Sequence, residues 1–287
     1  MDRGGFLRAF NERLEDVRSA LITRDASGDF VFVAIDAASL QAVGEWPWSR
    51  RIHGNILENL TEAGALDVFF DVDFAFAADP AGDAAFADAL ERSGNAYLPV
   101  FRQLDRDGAT APVTNRPLDL FATRSWPALV NVFSDNQGAV RFYPYGDMVE
   151  DEFIPSAAAL LTGAFSERSD SFSINYSIRP DSVPVLSAYD VARGRFDPQS
   201  IAGRSVVVGA SAIELGDLFT VPVRGDYSRT SCACSGHRNS GLGCRPDATG
   251  TSAGLWRPSD PASGAADPPV PEPGVSACDR SRQHCRR

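Results

Sequence analysis

Apolar runs that end in an acid alternate with amphipathic stretches over the first hundred residues, and this alternation constrains the fold more than any other feature. Asp29–Asp36, DFVFVAID, has the pattern of a strand buried on both faces, with a C-terminal end that opens onto a site. Arg50–Gly64 then places Ile52, Ile56, Leu57, Leu60 and Ala63 on one helical face and closes on Gly64. Leu66–Asp73, LDVFFDVD, reads as the next strand. Asp79–Gly94 supplies a helix with Phe86, Ala89 and Leu90 inward, and Ala96–Phe101 a third strand. The order β-α-β-α-β predicts a parallel sheet with right-handed crossovers.

Further along, Trp126–Phe133 and Ala139–Tyr143 read as strands joined by a hairpin-type turn at Asp135-Asn136-Gln137-Gly138. A short helix is expected over Phe153–Gly163, a strand over Phe172–Tyr176, and a helix over Ser187–Arg193 capped by Ser187. Ser205–Gly209, SVVVG, is another buried strand, Gln103–Arg116 a long surface excursion, and Asp217 a turn residue before Pro222. The fold class is therefore α/β, with a mixed, largely parallel sheet flanked by helices in a single domain. Residues 5–24 precede it and place Phe6, Phe10, Leu14, Val17 and Leu21 at helical spacing, so 1–28 is expected to be a leading amphipathic helix that docks.

Composition breaks near residue 228. Residues 1–227 carry 19 Arg against 33 acidic residues, whereas 228–287 carry 8 Arg against 5 and hold all of Cys232, Cys234, Cys244, Cys278 and Cys285. That tail is rich in Ser, Gly, Pro and Arg without apolar periodicity, so it is expected to be disordered. Its Cys spacing matches no usual structural zinc pattern. A shifted reading frame is the expectation that explains more: GHRNSGLG (236–243) can be encoded so that the next frame reads ATETLVSG, and WRPSDPASGAADPP (256–269) so that it reads GVRRILHLALLILP. The chain has no Lys, which suggests GC-rich bacterial coding, and its net charge of -11 argues against a nucleic-acid partner. No stretch reaches the roughly 18 apolar residues that a membrane-crossing helix needs, and 1–28 is too charged for a signal peptide.

Five blocks in order carry a resemblance: IDAASLQAVGEWPWSRRIHGNILENL, AGALDVFFDVDFAFAADPAGDAAFADAL, NVFSDNQGAVRFYP, INYS and GRSVVVGASAIELGDLFTVPV. Together, over residues 29–227, they resemble the second family of CHASE domains, the cyclase and histidine-kinase associated sensory extracellular domains. The resemblance implies a periplasmic or extracellular sensory domain of a bacterial membrane receptor. Membrane helices flank such a domain, and its cytoplasmic output is a histidine kinase, an adenylate cyclase or a GGDEF/EAL module. This chain departs from the pattern after Asp226-Tyr227, so a truncated receptor that binds a small molecule and does not catalyse is expected. Nothing in the sequence implies a cofactor, and a homodimer stays open.

Candidate site residues come from strand ends and from one unusual corner. Asp36 and Ser39 follow the first strand and Asp71 and Asp73 end the second, where open α/β sheets bind ligands. If those strands are neighbours, the carboxylates converge and could hold Mg²⁺ or Ca²⁺, which is the basis of an alternative reading as a metal-dependent hydrolase. Equally, Asp36 and Asp73 serve as helix caps or loop acceptors. In Gly44-Glu45-Trp46-Pro47-Trp48-Ser49-Arg50, Trp46 and Trp48 wall a pocket or pack in the core. Arg50 and His53, one turn apart, grip a ligand carboxylate or pair locally. Arg141 is a ligand clamp or an ion-pair partner. Gly209-Ala210-Ser211 lacks the second glycine of a nucleophile elbow, because Ile213 stands there. A purely structural dimerisation module is the third class.

Overall fold

The computed structural model describes residues 14, 17–18, 21–44, 46–103, 113–135, 138–164, 170–211, 218–221 and 225–228. The expectations for Phe6, Phe10, Asp217 and the tail beyond residue 228 lie outside them.

The alternating runs form the predicted elements: β1 (Phe30–Ile35), α2 (Arg50–Glu62), β2 (Asp67–Asp71), α3 (Pro80–Ser93) and β3 (Ala96–Gln103), with an additional helix, α1 (Ala37–Val43), directly after β1. After them come β4 (Val113–Asn115), α4 (Asp119–Ala122), β5 (Trp126–Leu129), β6 (Phe142–Pro144), β7 (Gly146–Val149) and β8 (Glu152–Pro155). The chain continues through α5 (Ala157–Thr162), β9 (Ser171–Ser173), β10 (Val185–Ser187), α6 (Ala188–Ala192) and β11 (Ser205–Ala210), then a hairpin of β12 (Leu218–Val221) and β13 (Gly225–Ser228).

The main sheet runs β10-β1-β11-β2-β3-β4, with β5 also paired to β3. All of its pairings are parallel except β3 with β4. Because successive side chains alternate faces, the near-continuous apolar strands supply two cores. Val31, Val33, Ile35, Val68, Phe70, Leu98, Val206 and Val208 meet Ile56, Leu57 and Leu60 of α2 and Phe86 and Leu90 of α3 on one face. Phe30, Phe69, Tyr97 and Val207 meet Ala157 and Leu161 of α5 on the other. Each large aliphatic side chain buried in this way contributes about 1.5–3 kcal/mol.

Three expectations change. The β1 and β2 strands are not neighbours: β11, from the far end of the chain, lies between them, pairing Ile35 with Ala210 on one side and Asp71 with Gly209 on the other. Short-range periodicity does not disclose such a late insertion. The expected hairpin does not form either. The turn closes, with the Asp135 amide donating to the Ala139 carbonyl at 2.8 Å, but β5 pairs with β3 and β6 pairs with β9. The segment 152–155 is a strand preceding α5, not helix.

The leading segment is helical at residues 14, 17, 18 and 21, and Leu14, Val17 and Leu21 are exposed. The stretch after it is tied down. Arg24 exchanges backbone hydrogen bonds with Ser177 and Arg179, the Ala26 amide donates to Ser182 Oγ at 2.7 Å, and Asp25 pairs with Arg179.

Candidate functional site

At the carboxyl end of β2 the N-termini of α2 and α3 meet. Ser49 occupies the N-cap position of α2, but its hydroxyl does not cap that helix; it donates to Asp79 Oδ2 at 2.8 Å. Asp79 caps α3 with its other oxygen, accepting from the Gly82 amide at 2.6 Å. The Ser49 hydroxyl, and after it the Gly82 amide, hold the Asp79 carboxyl below its ordinary range. The approach requires glycine at 82, since a Cβ there would stand 2.4 Å from Asp79 Oδ2 and 2.7 Å from Ser49 Oγ.

Around this joint the sequence has placed a polar group inside an aromatic shell. Trp46 and Trp48, on either side of a cis proline, meet edge to face at 5.4 Å. Trp48 is buried, and its ring lies 6.2 Å from that of His53. His53 is wholly buried, with Phe70, Phe74 and Phe86 within 6.3 Å of its ring. Neither of its nitrogens has a hydrogen-bond partner among the described residues, and burial, reinforced by the Arg50 charge, pushes its pKa down to about 3. The Ser49 backbone one turn back opposes these two effects, without reaching hydrogen-bonding geometry. His53 is thus a neutral imidazole across the physiological range.

Arg50 is 6% exposed, with its guanidinium 4.5 Å from the centre of the Phe74 ring and Nη2 donating to the Asp73 carbonyl at 3.0 Å. Burial lowers its pKa, opposed by the charges of Asp83 and then Asp73. Asp83 is also buried, and its Oδ2 accepts from the Ala78 amide at 3.0 Å.

The structure therefore gathers Trp46, Trp48, Arg50, His53 and Asp73 and leaves the other sequence candidates apart. Asp36 caps α1, accepting from the Ser39 amide at 2.6 Å. Ser39 is buried, its hydroxyl 2.9 Å from that of Ser187 and accepting from the Tyr189 amide, so it links α1 to α6. With β11 between them, the β1 and β2 axes stand about 9–10 Å apart, and the expected convergence of Asp36 with Asp71 and Asp73 does not occur. Among the described residues no three His, Cys, Asp or Glu side chains form a metal-binding group. Asp73 Oδ1 accepts from the Ala75 amide at 2.8 Å. Arg141 is an ion-pair partner: Nε meets Asp135 Oδ2 at 2.7 Å. Ser211, in the weak elbow motif, donates its backbone amide to the Ile35 carbonyl.

Sequence reasoning missed Asp83 and the Ser49–Asp79 joint. Asp83 had a signal: it lies three and four residues before Phe86 and Ala87, so it is an acid on the buried stripe of its helix. The joint had none, because Ser49 and Asp79 are thirty residues apart and each reads alone as an ordinary cap.

Fold and site together define an α/β domain in which polar groups hold two helix N-termini in place. Residues 2–236 match the CHASE2 domain family, and the chain belongs to it: a family of extracellular sensory domains in signalling receptors, not of catalysts. The match includes the leading segment as well as residues 29–227. No curated protein and no solved structure matches the chain. Among the described residues no helix is long and apolar enough to cross a membrane.

Proposed function

We propose that this chain is the ligand-sensing part of a bacterial transmembrane receptor, lying on the periplasmic or extracellular side and binding a small molecule without turning it over. The family match over residues 2–236 carries this reading. A ligand that prefers one arrangement of the domain shifts the population toward it, and the shift reaches a cytoplasmic output through the segments at the domain's ends. The leading segment suits that task, since residues 24–26 are bonded to 177–182 immediately before edge strand β10. Trp46, half-buried beside the exposed Pro47 and Ser49 at this strand end, is the candidate for ligand contact, whereas Trp48 and Arg50 are buried. Asp36, Ser39, Asp71 and Arg141 are secondary candidates.

The competing metal-dependent hydrolase needs Asp36, Asp71 and Asp73 on one ion, and β11 separates the first from the other two. One pair of assays divides the readings. The full chain is screened against small metabolites for a rise in thermal midpoint and, in parallel, against phosphoesters with Mg²⁺ or Mn²⁺. Stabilisation by a metabolite without phosphoester turnover is expected. Metal-dependent turnover that Asp71→Asn abolishes would replace the sensory reading with the hydrolytic one.

A further inference from the structure

Four buried side chains hold polar atoms without a hydrogen-bond partner among the described residues: Trp48 Nε1, Arg50 Nε, both nitrogens of His53, and Asp83 Oδ1. Leaving such atoms bare is costly, and native proteins rarely concentrate several in one place. Arg50 and Asp83 carry opposite charges and Asp83 is the stronger of the two carboxylates favouring the Arg50 cation, yet neither a hydrogen bond nor an ion pair joins them directly. Arg50 lies on the Phe74 ring, Phe74 stacks on Phe86, and Asp83 stands one turn before Phe86, so two buried opposite charges share this corner without a direct bond, an arrangement that an intermediary would relieve.

The size of that intermediary is bounded by the shell. His53 lies 5.4 Å from Phe74 and 6.1 Å from Phe86, Phe74 stacks on Phe86 at 4.8 Å, and Phe86 meets Phe121 at 5.2 Å, all distances of direct ring contact. A metabolite does not fit among rings so packed. Its chemistry is bounded by the bare atoms. The indole, guanidinium and imidazole N–H groups are donors, while the Asp83 oxygen and the unprotonated imidazole nitrogen are acceptors. Three donors and two acceptors call for a small partner that both accepts and donates, which is the chemistry of ordered water. Internal waters typically make about three hydrogen bonds to otherwise unsatisfied groups.

We propose that Trp48, Arg50, His53 and Asp83 form an internal water-binding site in which water bridges Arg50 Nε to Asp83 Oδ1, making a water-linked ion pair that fixes the α2 and α3 N-termini against each other. The site is closed and takes water, so it is distinct from any surface where a sensed metabolite binds, and it stands whether or not the sensory reading does.

A crystal structure of the full chain at a resolution that places ordered solvent tests this directly. The expected result is a solvent peak within hydrogen-bonding distance of both Arg50 Nε and Asp83 Oδ1. A direct Arg50–Asp83 contact, or a dry cluster, overturns the proposal. Equilibrium unfolding of Arg50→Met, Asp83→Leu and the double variant gives the energetic counterpart. Each single change strands a buried charge and is expected to lower the folded-to-unfolded ratio more than about a hundredfold, while the double variant recovers most of the loss. Losses that simply multiply mean that the charges are not linked and also overturn the proposal. If the single variants do not fold, a folded double variant is the expected result, and if none folds the crystal structure decides.

Discussion

Lowering the pH from 7.5 to 5 should destabilise this domain through one residue, His53. In the unfolded chain its imidazole takes up a proton around the ordinary value of 6.5, whereas in the fold it stays neutral until about 3, because burial among aromatic rings, then the Arg50 charge, penalises the cation. The unfolded state therefore binds the extra proton between these limits. Stability is full above pH 6.5 and is lost as the pH falls toward 3, at about 1.4 kcal/mol per pH unit. At pH 5 the loss amounts to about 2 kcal/mol. With a urea slope of about 2–3 kcal/mol/M for a domain of this size, the midpoint moves down by about 0.7–1 M. Asp67, whose carboxyl burial raises, contributes in the opposite sense, gaining as the pH falls. That contribution is common to wild type and variant and cancels between them. The assay is urea unfolding of the full chain and of His53→Leu at both pH values. Whatever the variant's absolute stability, its pH response should lack the component of about 2 kcal/mol; equal responses in the two proteins would refute the argument that His53 is held neutral.

Three further substitutions probe the placements described above. Gly82→Ala should destabilise by about 1–3 kcal/mol in thermal or urea unfolding, since the intruding methyl at the Ser49–Asp79 joint outweighs a helix-propensity gain of at most about 1 kcal/mol. Asp36→Ala should cost about 1 kcal/mol of unfolding free energy and Asp36→Asn much less, because Asn keeps the acceptor that caps α1. Arg141→Ala should lower the unfolding free energy by about 1–3 kcal/mol, since it removes the Asp135 ion pair, whose Arg141 side chain is 12% exposed.

Legibility in the sequence depends on the range of the interaction. The β1, α2, β2, α3 and β3 elements were readable because their apolar periodicity is local, and the run SVVVG announced β11 as a buried strand. Its place between β1 and β2 was not readable, because pairing Val206 with Val31 and Val68 joins segments more than a hundred residues apart and apolar strands carry no address. That one insertion separated Asp36 from Asp71. Trp48, Arg50 and His53 were legible as a group because they share one corner and one helical turn. Asp83, which completes their polar set, comes from the next helix, and its place on the buried stripe before Phe86 and Ala87 was the signal that pointed to it. Arg141 and Asp135 found each other across six residues, a distance over which the turn itself suggests the pair.

The central claim, that a CHASE2 domain of this kind senses by binding, is tested most directly by the concentration dependence of the full chain's thermal midpoint for any metabolite that raises it. A ligand specific to the folded domain adds about 2.7 kcal/mol at a hundred times its dissociation constant, which for about two hundred ordered residues is a rise on the order of 5–10 °C that keeps growing with the logarithm of concentration. The account predicts that dependence, with one-to-one stoichiometry by calorimetry and weakening in Trp46→Ala. A full metabolite panel that leaves the midpoint unchanged at every concentration would contradict it.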